Sequence, residues 1–231
     1  MKIFLLVLIV CLAGSITPVP RVVAQDEARA AWQVTNFDIT VSNFGADRAL
    51  NARAVVSVRN VGRGSGATLS LRISSKAEIK SASVGAATAT FKAAAETRGG
   101  AQRVTITLPN SVAPNDSINA TLDYRLPVEE NSGVAAISPI GSQFLPLSLW
   151  FPSPSTPTSV RGADYAPFHL AVTGANIISS GNEKDGGFAQ PLNAQPFFVA
   201  GNWDRVDGSG NSKGVSAFLT KGDLRLCISV E

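Results

Sequence analysis

The chain is poor in the residues that carry most enzyme chemistry. It has one histidine, His169, in 231 residues, and two cysteines, Cys11 and Cys227. A zinc site takes several His, Cys or carboxylate ligands, so this inventory excludes the ordinary structural and catalytic arrangements. A Ser-His-acid triad would have to turn on His169, and no sequence feature brings a serine and an acid to it. Strand alternation sets His169 opposite Phe168, Leu170 and Val172, on the more exposed face, where it reads as a surface or hydrogen-bonded side chain. Runs of Lys and Arg are absent, so neither nucleic acid nor an anionic surface is implied as a partner. Helical periodicity is nearly absent as well.

Other candidate sites are equally thin. Gly62-Arg63-Gly64-Ser65-Gly66 lacks the Lys-Ser/Thr of a phosphate-binding loop and reads as a hairpin connection. Asp204 and Asp207 to Asn211 do not follow the alternate-ligand spacing of a calcium loop. Glu129-Glu130 reads as a solvated turn rather than a pair of catalytic carboxylates. Asn115-Asp116-Ser117 and Asn119-Ala120-Thr121 are formal glycosylation sequons, relevant only in a eukaryotic secretory route.

What is present starts with a leader. Lys2 precedes an uncharged apolar core, Ile3 to Ala13, and Val22-Val23-Ala24 offers small residues at a cleavage site. This predicts a signal peptide over 1–24, cut after Ala24, and a secreted or periplasmic product. An apolar helix of that length spans roughly 16 Å, about half a bilayer, so no stable membrane span is expected. Val10 stands before Cys11 where a lipoprotein signal has a small residue. Cleavage removes Lys2 and Arg21 and no acids. The 20 basic residues fall to 18 against 17 acidic ones, a net charge of +1. Cys227 is then alone, and no internal disulfide can form. It reads as a small apolar side chain within Leu224 to Val230. A chain of about 207 residues carries a core large enough to do without a disulfide.

The remaining residues alternate with period two. Trp32 to Val41 is aromatic and β-branched. Leu50, Ala52, Ala54, Val56 and Val58 share one face of a strand. Leu69, Leu71 and Ile73 follow, then Ala77 to Val84, the weaker Ala87 to Ala94, and Val104, Ile106 and Leu108, ending at Pro109-Asn110. Ile118, Ala120, Leu122, Tyr124 and Leu126 form the cleanest strand, closed by Pro127. Later strands are expected at Phe168 to Thr173, Asn176 to Ser180 and Phe197 to Val199. Polar loops are expected at Gly181 to Gly187 and Asp207 to Gly214, with two short strands at the end. Strands at this spacing predict an all-β fold, a large curved antiparallel sheet or sandwich, in a single domain over 25–231.

The densest signal is Gln143 to Pro154, which gathers aromatics, leucines and prolines. Trp150-Phe151 enters the Pro/Ser/Thr-rich stretch Pro152 to Gly162, and Tyr165 and Phe168 leave it. Aromatics that need burial do not flank a free linker, so this is an ordered loop within one domain.

The order of Ala49 to Val58, Leu69 to Ile73, Val104 to Pro109, Thr121 to Arg125, Trp150-Phe151-Pro152, Ala166 to Thr173, Ile178 to Gly181 and Pro196 to Gly201 resembles the N-terminal β domain of the gluzincin, or M1, zinc aminopeptidases. The likeness spans Trp32 to Trp203. It implies a curved sheet that packs on a thermolysin-like catalytic domain and supplies part of the substrate pocket. By position, Gln143 corresponds to the Gln or Glu that helps bind the free amine of a peptide. The family's Arg before the motif and Asp-x-Pro after it are replaced by Ser148-Leu149 and Ser153-Pro154-Ser155. The Gly-Ala-Met-Glu-Asn motif and the zinc motif His-Glu-x-x-His do not occur. The resemblance therefore implies relatedness without hydrolysis: no catalytic residue, no metal and no cofactor. Peptide, or a separate metallopeptidase catalytic domain, is the partner it suggests. The product is expected to be a truncated form of a longer protein, with 201–231 a shortened continuation, or a stand-alone module. The competing expectation is a secreted β-sandwich serving adhesion or surface structure.

Overall fold

The computed structural model describes residues 29–44, 47–97, 99–139, 141–155, 162–174, 176–201, 203–212, 215–220 and 227–230. The leader and its cleavage site, and Cys11 within it, lie outside the described residues, as does the side chain of Cys227. Among the described residues there is no α-helix. The chain forms β1 (Trp32–Phe44), β2 (Ala49–Asn60), β3 (Gly66–Ser74), β4 (Glu78–Val84), β5 (Ala87–Thr88), β6 (Phe91–Ala95), β7 (Ala101–Val112) and β8 (Ser117–Pro127). It continues through β9 (Ala135–Ile137), β10 (Gly141–Phe144), β11 (Ser153–Pro154), β12 (Ala166–Val172), β13 (Ile177–Ile178), β14 (Asn182–Lys184), β15 (Gly187–Ala194) and β16 (Phe198–Gly201). Last come β17 (Trp203–Asp207), β18 (Val215–Thr220) and β19 (Cys227–Val230), which pair with one another.

The largest sheet has eight strands in the order β14-β15-β12-β1-β2-β8-β4-β5. All its pairings are antiparallel except one: β1 and β12 run parallel, with Phe37 beside Phe168 and Asp38 beside His169. A parallel pair needs a long crossover, and here everything between Phe44 and Ala166 is that crossover. Two four-stranded sheets, β11-β3-β7-β6 and β13-β16-β10-β9, complete the body.

Alternation decides which face is buried. Phe37, Ile39 and Val41 of β1, Ala54, Val56 and Val58 of β2, and Leu122 and Tyr124 of β8 are buried, and so are Leu69, Leu71 and Ile73 of β3 and Val104 and Ile106 of β7. They join one continuous apolar cluster that also takes in Phe144, Trp150, Phe168 and Phe198. The opposite face of the large sheet is polar. Arg53 pairs with Asp123 at 3.3 Å, and Arg125 bridges Asp47 and Glu78 at 3.0 and 3.1 Å. The hydrogen bond from Arg125 holds the Asp47 carboxyl below its ordinary range. Such exposed pairs contribute little to stability, because water screens them.

Three local expectations are corrected. Gly181 to Gly187 is not a loop but the β14–β15 hairpin, turning at Asp185 and Gly186 with φ of 51° and 76°. Two successive positive φ values define the turn whose twist matches a hairpin, and Asp-Gly is its preferred sequence. The strand around Ile106 does not end at Pro109 but runs to Val112. Proline is tolerated there because the β3–β7 register is interrupted between Thr107 and Val112, so its missing N–H costs no rung. Asp207 to Gly214 is likewise not all loop: Asp207 ends β17, and a 3₁₀ turn covers Gly210–Ser212.

Candidate functional site

The stretch from Gln143 to Pro154 joins the layers of the fold. β10 lies between β16 and β9, with Phe144 beside Phe198 and Gln143 beside Val199 and Ala136. A 3₁₀ turn over Pro146–Ser148 follows and is stopped by Leu149, whose φ of 55° lies in the left-handed region. That reversal drives Trp150 and Phe151 into the core, where they are 0% and 4% exposed. Trp150 meets Phe198 edge-on at 5.4 Å and Phe151 at 5.3 Å, while Phe144 stacks on Phe198 at 5.1 Å. Phe151 in turn meets Phe37 of β1 edge-on at 5.3 Å. The indole N–H is not left unpaired in this apolar setting, because it donates to the Pro196 carbonyl at 3.2 Å. The chain then pairs Ser153 and Pro154 with Arg72 and Leu71 as an edge strand of β3. One run of twelve residues thus touches all three sheets of the body.

Gln143 projects from the face of β10 opposite Phe144, since neighbours on a strand alternate. Val199 and Ala136, its cross-strand neighbours, are buried, and Gln143 itself is half-buried. Its Nε2 donates to the Gly133 carbonyl at 2.9 Å and to that of Ser132 at 3.5 Å. These bonds fix which end of the amide is which. The Oε1 accepts no hydrogen bond among the described residues. An amide oxygen held by its own donor end, in a partly apolar row, is a suitable acceptor for an ammonium group. Leu147 of the 3₁₀ turn is 83% exposed, and elsewhere in the chain Tyr165 and Leu192 are 45% and 71% exposed. Tyr165 leads into β12 and Leu192 lies near the end of β15, which pairs with β12 through Ala166 and Ala194.

His169 lies on the outer face of the large sheet, as alternation requires. Its Nδ1 is 3.1 Å from Asp38 Oδ1, the residue beside it in register. Its Nε2 is buried, with no hydrogen-bond partner among the described residues. Gln143 is on a different sheet, and the structure does not join the two. Among the described residues no group of three or more His, Cys, Asp or Glu could hold a metal ion. Glu129 is taken up by Lys76 at 2.9 Å, which holds its carboxyl below the ordinary range. Sequence reasoning missed the buried polar residues Asn60 and Gln102: both are in phase with the buried faces of β2 and β7, but their polarity hid it.

The arrangement of sheets defines a class. It is the fold of the N-terminal domain of M1 zinc metallopeptidases, and the likeness is confined to that domain. The M1 zinc metallopeptidase from Deinococcus radiodurans superposes with a TM-score of 0.60 at 16% identity, over 84% of this chain and 47% of that one. The two-domain M1 zinc metallopeptidase bound to L-arginine gives 0.60 at 16% identity over 79% and 45%. Yeast leukotriene A4 hydrolase in complex with bestatin gives 0.60 at 14% identity over 78% and 30%. At these identities the likeness is one of fold. The chain spans less than half the length of the solved structures it resembles. No family model matches the sequence, and no curated protein matches it.

Proposed function

We propose that the chain is an exported, non-catalytic β module that recognises the free amino end of a peptide at Gln143 and packs beside a separate peptide-processing domain. The observation that supports this is the fold likeness over about four-fifths of the chain to M1 metallopeptidases, one of which is described bound to a Tyr-Ser-Ala substrate. The Oε1 of Gln143, which accepts no hydrogen bond among the described residues, supplies the acceptor an ammonium needs. In this reading the given sequence takes no part in hydrolysis itself, in keeping with its single histidine and the lack of a His-Glu-x-x-His stretch within it.

Calorimetric titration with Tyr-Ser-Ala and with its N-acetylated form tests the reading. The free-amine peptide binds, acetylation abolishes the binding, and Gln143→Ala weakens it about tenfold or more, the loss of one charge-assisted hydrogen bond. Equal binding of the two peptides, or none of either, defeats the assignment of Gln143. Release of amino acid from an aminoacyl-amide by the pure protein with added zinc, surviving His169→Ala, defeats the non-catalytic part.

A further inference from the structure

The edges of the three body sheets are unequal. β5, β9, β11, β13 and β14 are two or three residues long, and β11 ends in proline, both of which are ways of closing an edge to further pairing. β6, Phe91–Ala95, is different: it is the last strand of its sheet and five residues long. Thr107 N–H donates to the Thr90 carbonyl and Glu96 N–H to the Ala101 carbonyl. With the register Phe91 to Ile106 through Ala95 to Gln102, Lys92 and Ala94 therefore bond inward to β7. Phe91, Ala93 and Ala95 turn their N–H and C=O groups away, and among the described residues nothing accepts or donates to them.

The side chains carry the same message. Ala93 and Ala95 stand opposite Val104 and Gln102, on the face where β7 is buried, yet both are exposed. The core layer simply stops at this edge. We propose that a second copy of the chain covers it, by antiparallel pairing of β6 with β6 about a twofold axis through Ala93.

The strand is self-complementary in that register. Phe91 faces Ala95 of the second copy, and Ala93 faces Ala93, so the outward donors and acceptors of each strand meet those of the other. The Phe91 ring lies over the small, uncovered Ala95, extending the core layer across the junction. Lys92 falls opposite Ala94, so no like charges are placed directly across from each other. Parallel in-register stacking would instead set Lys92 against Lys92, so the one charge on the strand selects a closed pair over an open stack. Five-residue pairing makes a small interface, and the dimer is a concentration-dependent one.

Sedimentation velocity on the chain purified after export with its own leader shows a monomer–dimer shift between micromolar and submillimolar concentration. Ala93→Pro weakens association about tenfold or more with unchanged far-ultraviolet circular dichroism, because the lost N–H points outward and not to β7. In a Cys227→Ser background, Ala93→Cys gives a disulfide-linked dimer on mild oxidation, since directly opposed residues have Cα atoms about 5.5 Å apart. Lys92→Cys gives little. If Ala93→Pro fails to fold, the pair of cysteine variants decides alone. A monomer throughout, or equal cross-linking at residues 92 and 93, overturns the proposal.

Discussion

Asn60 sits where its side chain binds four backbone groups from three stretches of the chain. Its Oδ1 accepts from the N–H groups of Ala31 and Gly62 at 3.2 and 3.0 Å, and its Nδ2 donates to the carbonyls of Gly64 and Val112 at 2.8 and 3.1 Å. The side chain is fully buried, so it replaces the water these groups would otherwise bind. Gly62 is constrained by the same clamp, because a Cβ there would collide with the backbone of Arg29 and Ala31. Asn60→Ala costs about 3 kcal/mol, since it leaves buried donors and acceptors unpaired. Asn60→Asp is no milder, because a carboxylate cannot donate to Gly64 and Val112. Urea denaturation of both variants checks this, and an aspartate variant near wild type would refute it. Tyr124 is the converse case. Its hydroxyl is buried with no partner among the described residues, and burial pushes its pKa up. The folded protein therefore favours the protonated phenol more than the unfolded chain does. That contribution is intact below the unfolded value, about 10, and is lost as pH rises above it towards the folded value. Tyr124→Phe removes the orphaned hydroxyl and flattens the alkaline loss; it is neutral or stabilising by about 1 kcal/mol at neutral pH. Denaturation midpoints compared at neutral and strongly alkaline pH read both effects.

Trp150 makes the same kind of argument for an element. It carries the turn between β10 and β11, so its loss opens a cavity and also frees the short strand that edges β3. Trp150→Ala costs about 4 kcal/mol, at the level of a fully buried aromatic. Amide exchange should show Ser155, whose N–H donates to the Ser70 carbonyl at 2.9 Å, losing protection along with the core. Protection kept at Ser155 would mean the strand holds itself. The aromatic density around Trp150 was readable in the sequence, and so was its burial. The strands with strong alternation were readable for a similar reason. In β2 and β8 most residues share the polarity of their neighbours two away, so local sequence already states which face is inside. β9, β10 and β16 were harder. β10 is Gly-Ser-Gln-Phe, too short and too mixed for a period to show, and Val199 is buried along with both its neighbours, so β16 has no alternation to read. The β14–β15 hairpin was hidden by composition, although Asp185-Gly186 carried its turn signal. The parallel β1–β12 pair could not have been read, because direction of pairing between distant strands leaves no local mark. The position of Gln143 came from resemblance; its held amide and free oxygen needed the loop at Ser132 and Gly133, which only the fold brings to it.

At the scale of the molecule, the three body sheets share one core rather than owning three. Trp32 on β1 donates its indole N–H to Thr68 of β3 at 3.1 Å, Phe37 on β1 meets Phe151, and Trp150, packed on Phe151, meets Phe198 on β16. Each sheet keeps its inner face dry only while the others are in place. A sheet that loosened alone would expose apolar side chains of its neighbours, so partial unfolding gains chain entropy but forfeits burial on two sides. The body therefore unfolds as one unit. Two variants report on it from different parts of the core: Trp32 on β1 and Trp150 between β10 and β11. Trp150→Phe with Trp203→Phe leaves Trp32 as the fluorescent probe, and Trp32→Phe with Trp203→Phe leaves Trp150. Within each variant the fluorescence and far-ultraviolet dichroism midpoints in urea coincide, whatever the overall loss of stability. A fluorescence midpoint displaced from the dichroism midpoint, in either variant, would mean that the layer packed around that tryptophan comes away by itself. The row around Gln143 would then rest on a layer able to open independently of the large sheet.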